Sequence, residues 1–152
     1  MVYLDYSATT KVDDNVLKCF NDVENLFFAN PNSNHRLGKH ANKVIMDSAL
    51  KICSYLNIKK NEIIFTSGAS ESNNMVLKGC NASHIITTKL EHSSITTPVG
   101  YLQTKGIKVS FVPLLENGLV DVDALIKLIG DEDTLVSVCM VNSETGIRQD
   151  IE

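Results

Sequence analysis

Apolar positions along this chain follow two rhythms. Val16, Leu17, Phe20, Val23, Leu26 and Phe27 recur at helical spacing, with Asp13 or Asp14 placed to cap the first turn. Leu37, Ala41, Val44, Ile45, Ala49, Ile52 and Leu56 mark a longer stripe, about five turns at 3.6 residues per turn. Between them, "FANPNSNHRLG" is turn chemistry. Beyond residue 61 the rhythm changes to short apolar runs alternating with helical patterns. The spacing predicts strands at Glu62–Phe65, Ile85–Thr88, Val109–Val112 and Leu135–Val141. Helices are predicted from Ala69, around Ser94–Lys105 and over Val122–Ile129, with Gly106 and Gly130 at C-cap positions and Asp121 at an N-cap. Strands alternating with helices imply right-handed crossovers and a mainly parallel sheet covered on both faces. "TLVSVCMV", apolar almost throughout, reads as a central strand of that sheet.

In open α/β sheets, ligands gather beyond the carboxyl ends of the strands. There the chain places "TSGASE", "TKLEHSS" and "NSETG", three polar loops expected to converge on one rim. "GASE" makes a strand-to-helix corner in which the N–H groups of Ala69 and Ser70 and the Ser70 hydroxyl could hold an anion. It is neither a P-loop nor GxGxxG, and a plain structural turn is the competing reading. His92, just past the second predicted strand, could stack on a planar ligand and move protons near neutral pH, or be an ordinary surface histidine. Asn142 and Ser143 offer neutral hydrogen-bonding groups and Glu144 a charge, or the three form only a polar turn after a core strand.

Composition narrows the setting. At 152 residues the chain has the length of one domain, able to bury about 68–70% of its unfolded surface. A hydrophobic content of 43% with 21% charged residues excludes disordered and fibrous classes, and no apolar run reaches the roughly 20 residues of a membrane span. The net charge of −4 speaks against a general nucleic-acid surface. "MVYLDYSATT" has no basic region and no long apolar stretch, so a cytoplasmic location is expected. Cys19, Cys53, Cys80 and Cys139 are scattered without CxxC or nearby histidines, which indicates free, mostly buried thiols, with Cys80 in "GCNAS" expected to be the exposed one.

Five motifs taken in order make a family recognisable. "YLDYSATT" (3–10), "NPNSNH" (30–35), "FTSGASESNN" (65–74), "EHSSI" (91–95) and "VNSETGIRQDI" (141–151) closely resemble the start of the NifS/IscS-type cysteine desulfurases. Those enzymes form part of the class V branch of the fold-type I pyridoxal 5'-phosphate (PLP) enzymes. The resemblance covers essentially the whole chain. It implies an α/β fold: a three-layer, mainly parallel sheet of the PLP-dependent transferase large-domain type, incomplete here. Residues 1–14 would belong to a small domain and residues 15–152 to the PLP-binding large domain.

The resemblance also assigns roles. It implies that Ala69 and Ser70 hold the PLP phosphate, that His92 stacks on the pyridine ring and takes part in proton transfer, that Asn30 lies near the substrate, and that Glu144 orders its loop. Family members usually carry Asn where this chain has Ser143; there the side chain bonds the cofactor's phenolic oxygen, and a serine hydroxyl makes the same bond with shorter reach. The family's Asp facing the pyridine nitrogen, its Gln, its cofactor-bearing lysine in a His-Lys pair and its sulfur-accepting cysteine have no counterpart in this sequence. The chain is therefore expected to be the N-terminal portion of a longer enzyme and inactive alone. The complete enzyme would be a homodimer that converts L-cysteine to L-alanine and passes sulfur to an acceptor or scaffold protein for iron–sulfur cluster biosynthesis or thiolation. The alternatives are another class V activity (aminotransferase or selenocysteine lyase), a two-chain enzyme, or a non-catalytic partner-binding or regulatory half-protein.

Overall fold

The structure is a computed structural model and describes residues 1–59 and 62–151. The chain falls into two compact units, Met1–Phe65 and Thr66–Glu152.

The first unit carries two helices, α1 (Asp14–Leu26) and α2 (Arg36–Leu56). Asp13 caps α1 by accepting the Asn15 N–H at 2.9 Å, and His35 caps α2 through Nδ1 and the Gly38 N–H at 3.2 Å. Gly38 is required at that point: a Cβ there would run into the backbone carbonyls of Ser33 and Asn30. Both predicted helices are present, but the apolar stripes are only partly covered. No residue of α1 is buried, and in α2 burial is confined to Gly38, Ala41, Ala49 and Cys53, leaving Leu37, Ile45, Ile52 and Leu56 exposed. Periodicity specifies which face a helix offers to a partner, not that the partner is present.

The second unit is a small α/β layer structure. Helix α3 (Ala69–Gly79) precedes strand β1 (His84–Thr87), then α4 (Ser93–Thr104), β2 (Lys108–Phe111), α5 (Val122–Leu128) and β3 (Thr134–Val136). The strands are parallel in the order β2-β1-β3, with Ile85 opposite Val109 on one side and Leu135 on the other. Alternation along β1 supplies both cores. Ile85 packs with Leu77 of α3 and Ile95 and Val99 of α4, whereas Ile86 packs with Val112 and Val120 on the side where Leu125 and Leu128 of α5 lie. This gives three layers, the arrangement expected of crossover connections.

Three expectations need correction. Residues 62–65 form no strand, and Ile64 and Phe65 are exposed: short apolar runs become strands only where a neighbour completes the hydrogen-bond ladder. The central strand is β1, buried at all four positions, while the "TLVSVCMV" run contributes only the short edge strand β3. Gly106 does adopt a left-handed conformation after α4 (φ 92°), but Gly130 has no positive φ, and α5 ends in extended backbone at Ile129.

Candidate active site

The three polar loops of the second unit are tied together by specific hydrogen bonds. At the start of α3, Gly68 is nearly extended (φ 159°, ψ −179°) and contributes no side-chain cap. The Glu71 N–H donates to the Gly68 carbonyl, but among the described residues no acceptor meets the N–H groups of Ala69 and Ser70. Glu71, in the first turn, folds back instead. Its Oε2 accepts from the Ser67 N–H at 2.6 Å and the Ser67 hydroxyl at 2.7 Å. The backbone bond, then the hydroxyl, holds its carboxyl below the ordinary carboxylate range. The result is a helix start with two free donors, an exposed Ser70 and its one nearby carboxylate already engaged.

The loop after β1 delivers His92 as the N-cap of α4. Its Nδ1 accepts the Ser94 N–H at 3.1 Å and lies 2.9 Å from the Ser94 Oγ, while the ring itself is exposed. Ser94 is buried and also accepts a hydrogen bond from Asn73 Nδ2 of α3 at 2.8 Å. The α3 start and His92 thus belong to one connected framework. The preceding residue, Glu91, accepts the Cys139 N–H at 2.5 Å, and burial pushes its carboxyl above the ordinary range despite that bond.

Asn142 ties in the third loop. Its Nδ2 donates to the Leu90 carbonyl at 2.7 Å, and its Oδ1 accepts from the Glu144 and Thr145 N–H groups at 3.0 and 2.8 Å. Both ends of the amide are spent on backbone, so Asn142 orders the turn and Glu144 does not: the Glu144 side chain is exposed and contributes only its N–H. Ser143 is exposed at the tip of the same turn. Further along, Gln149 is buried, accepting the Val120 N–H and donating to the Gly118 carbonyl, which secures the "RQD" segment.

Ala69, Ser70, His92 and Ser143 therefore all belong to the second unit, the first two at the start of α3, His92 at the cap of α4 and Ser143 on a turn. Asn30 belongs to the first, where its Oδ1 accepts the Asn32 N–H and its carbonyl the Ser33 N–H. A cleft of about 490 Å³ between α3 and α4 is lined by Ser70, Asn74, Lys78, Thr97 and Tyr101, but not by His92 or Ser143. It meets the site at Ser70 and at Ser94. The cysteines, all free, are less buried than expected: only Cys53 is buried, Cys80 and Cys139 are half-buried, and Cys19 is the exposed one, because no residue of α1 is buried.

Sequence reasoning missed three polar residues that build this framework. Asn73, Ser94 and Gln149 are unremarkable as letters. Only Asn142 carried a signal, an Asn with Thr three positions on, as in turns closed by an Asn side chain.

The sequence matches the aminotransferase class-V family over residues 2–152, and the chain belongs to that family. Within it the chain is similar to the cysteine desulfurases: it is 39% identical to cysteine desulfurase IscS of Ehrlichia chaffeensis, over 99% of this chain and 38% of that protein. Among solved structures, a NifS-like protein superposes with TM-score 0.87 at 37% identity, covering 94% of this chain and 41% of its own. A protein described as SspA in complex with cysteine gives TM-score 0.90 at 32% identity, covering 99% and 45%. The chain spans about two fifths of the length of the curated relatives it matches.

The family implies PLP. The donor set at α3 fits such a group. Two unpaired N–H groups and a hydroxyl at the positive end of an 11-residue helix suit a phosphate, and the Cβ position of Gly68 has nothing within 4 Å to obstruct approach.

Proposed function

We propose that this chain is the N-terminal portion of a PLP-dependent cysteine desulfurase and supplies that enzyme's phosphate- and ring-contacting residues. The observation that carries the reading is the open α3 start, joined to His92 through Asn73 and Ser94, in a chain of the class-V family. When bound, PLP supplies an electron sink for bonds at the substrate's α-carbon. The N–H groups of Ala69 and Ser70 and the Ser70 hydroxyl bind its phosphate. His92 covers one face of the ring and holds a proton at Nε2. Ser143 offers its hydroxyl to the phenolic oxygen. Asn30 remains a substrate contact on the family resemblance alone.

The complete reaction takes L-cysteine and an acceptor thiol to L-alanine and a persulfide, so the sulfur leaves on an acceptor or scaffold protein. The full-length enzyme is a homodimer in this reading. Residues 1–14 serve its small domain, which is supported by the exposed Val2 and Leu4, left without a local core. Four free thiols suit a reducing compartment such as the cytoplasm. This chain alone is inactive, since no lysine in it lies in a motif like the family's.

Alanine release tests the proposal. The full-length product of the coding region, supplied with PLP, should form alanine and persulfide from L-cysteine, while this chain should form neither. No alanine from the full-length product, or alanine from this chain alone, would overturn it.

A further inference from the structure

A backbone N–H can only donate a hydrogen bond. Because the Ser94 N–H points at His92 Nδ1, 3.1 Å away, that nitrogen must present its lone pair, and the proton of the neutral ring sits on Nε2. The Ser94 hydroxyl, 2.9 Å from the same nitrogen, has its direction set from the other side: Asn73 Nδ2 donates to Ser94 Oγ at 2.8 Å, so the hydroxyl's own hydrogen is free to turn toward the ring. The direction runs one way, from Asn73 to Ser94 to His92. Ser94 is buried and Asn73 half-buried, so water competes weakly for these bonds.

We propose that Asn73 and Ser94 are positioning residues that lock His92 as the Nε2–H tautomer. The ring then meets the bound cofactor or substrate as a hydrogen-bond donor at Nε2, and Nδ1 is unavailable as a base because it caps α4. A base at Nε2 would need the other tautomer, which sets an Nδ1–H against the Ser94 N–H. The lock also couples the two ends of the site, since Asn73 stands one turn beyond the Ala69 and Ser70 donors on the same helix. The functional meaning rests on the PLP reading; the tautomer itself does not.

The test is long-range 1H–15N correlation NMR on the histidine-labelled chain, at a pH high enough for neutral imidazoles, with His92→Asn used to assign the His92 signals among the four histidines. The expected result is a pyridine-type Nδ1 and a pyrrole-type Nε2. Ser94→Ala should lower the Nε2–H to Nδ1–H ratio about five-fold, roughly what one net hydrogen bond contributes, while the backbone donor retains the rest. Ser94→Thr should restore the ratio. Asn73→Ala should lower it less, and serves on its own should Ser94→Ala fail to fold. A wild-type Nδ1–H ring, or a ratio unmoved in Ser94→Ala, or in Asn73→Ala where Ser94→Ala does not fold, would overturn the lock. PLP titration of the same samples separates the two readings: unchanged tautomers without PLP binding reject the proposed function alone, and PLP binding with unlocked tautomers rejects the relay alone.

Discussion

Helices α3 and α4 begin in the same unit, yet their first turns are completed in opposite ways. Gly68 leaves α3 without a side-chain cap, and the N–H groups of Ala69 and Ser70 stay open. His92 closes α4 with its own ring, at the expense of one imidazole nitrogen. The difference divides the labour of the site. The open start is suited to an external anion, and the closed start fixes a side chain that must point outward in one orientation. His35 caps α2 in the same manner through Gly38, but among the described residues only that backbone donor meets its ring, with no hydroxyl and no partner from another helix. A histidine cap by itself is thus structural, and it is the Asn73–Ser94 support that distinguishes His92.

The largest effect should come from closing the open start. Ser70→Asp places a carboxylate in the first turn of α3, where the helix dipole favours it, so the fold should hold. The same charge repels a phosphate a few ångströms away and should weaken PLP binding at least about ten-fold in a fluorescence titration. Opening the closed start should be milder. His92→Ala removes the cap and should cost about 1 kcal/mol in urea denaturation, whereas His92→Asn supplies an alternative cap and should cost less. Both remove the ring, so both should weaken PLP binding alike. Loss of PLP affinity only in the alanine variant would mean that His92 acts through the helix and not through its ring.

Much of the fold was legible in the sequence because its signals were local. Asp13 and Asp121 cap the helices they precede, and the 3.6-residue periodicities placed α1 and α2 within a residue or two. What was not legible depended on neighbours distant in the chain. "EIIF" has strand composition but no partner strand among the described residues, and "TLVSVCMV" has central-strand composition but an edge position. In the site, motifs marked the rim residues, whereas the bonds that orient them join positions 21, 48 and 52 residues apart. No periodicity or local motif reports such pairs.

Two smaller effects concern pH. Glu91 is held above the ordinary carboxylate range by burial, so its contribution to stability is present below about pH 4 and is lost as pH rises through its raised value. Wild type should therefore lose stability relative to Glu91→Gln as pH rises from the ordinary carboxylate range through the raised value, measured by urea midpoints across a pH series. Glu71 has the opposite sign. The Ser67 N–H and hydroxyl hold its carboxyl low, so its contribution is present above the ordinary range and is lost as pH falls through the lowered value. Glu71→Gln should flatten that acid limb slightly, the smallest change expected here because the carboxylate is exposed.

The most direct measurement compares PLP with pyridoxal, the same ring without its phosphate, as ligands of this chain by equilibrium titration. If the open start of α3 is the phosphate seat, PLP should bind at least about ten-fold more tightly, a ratio equal to about 1.4 kcal/mol, and inorganic phosphate should compete with it. Equal affinities for the two compounds, with no competition from phosphate, would contradict the account.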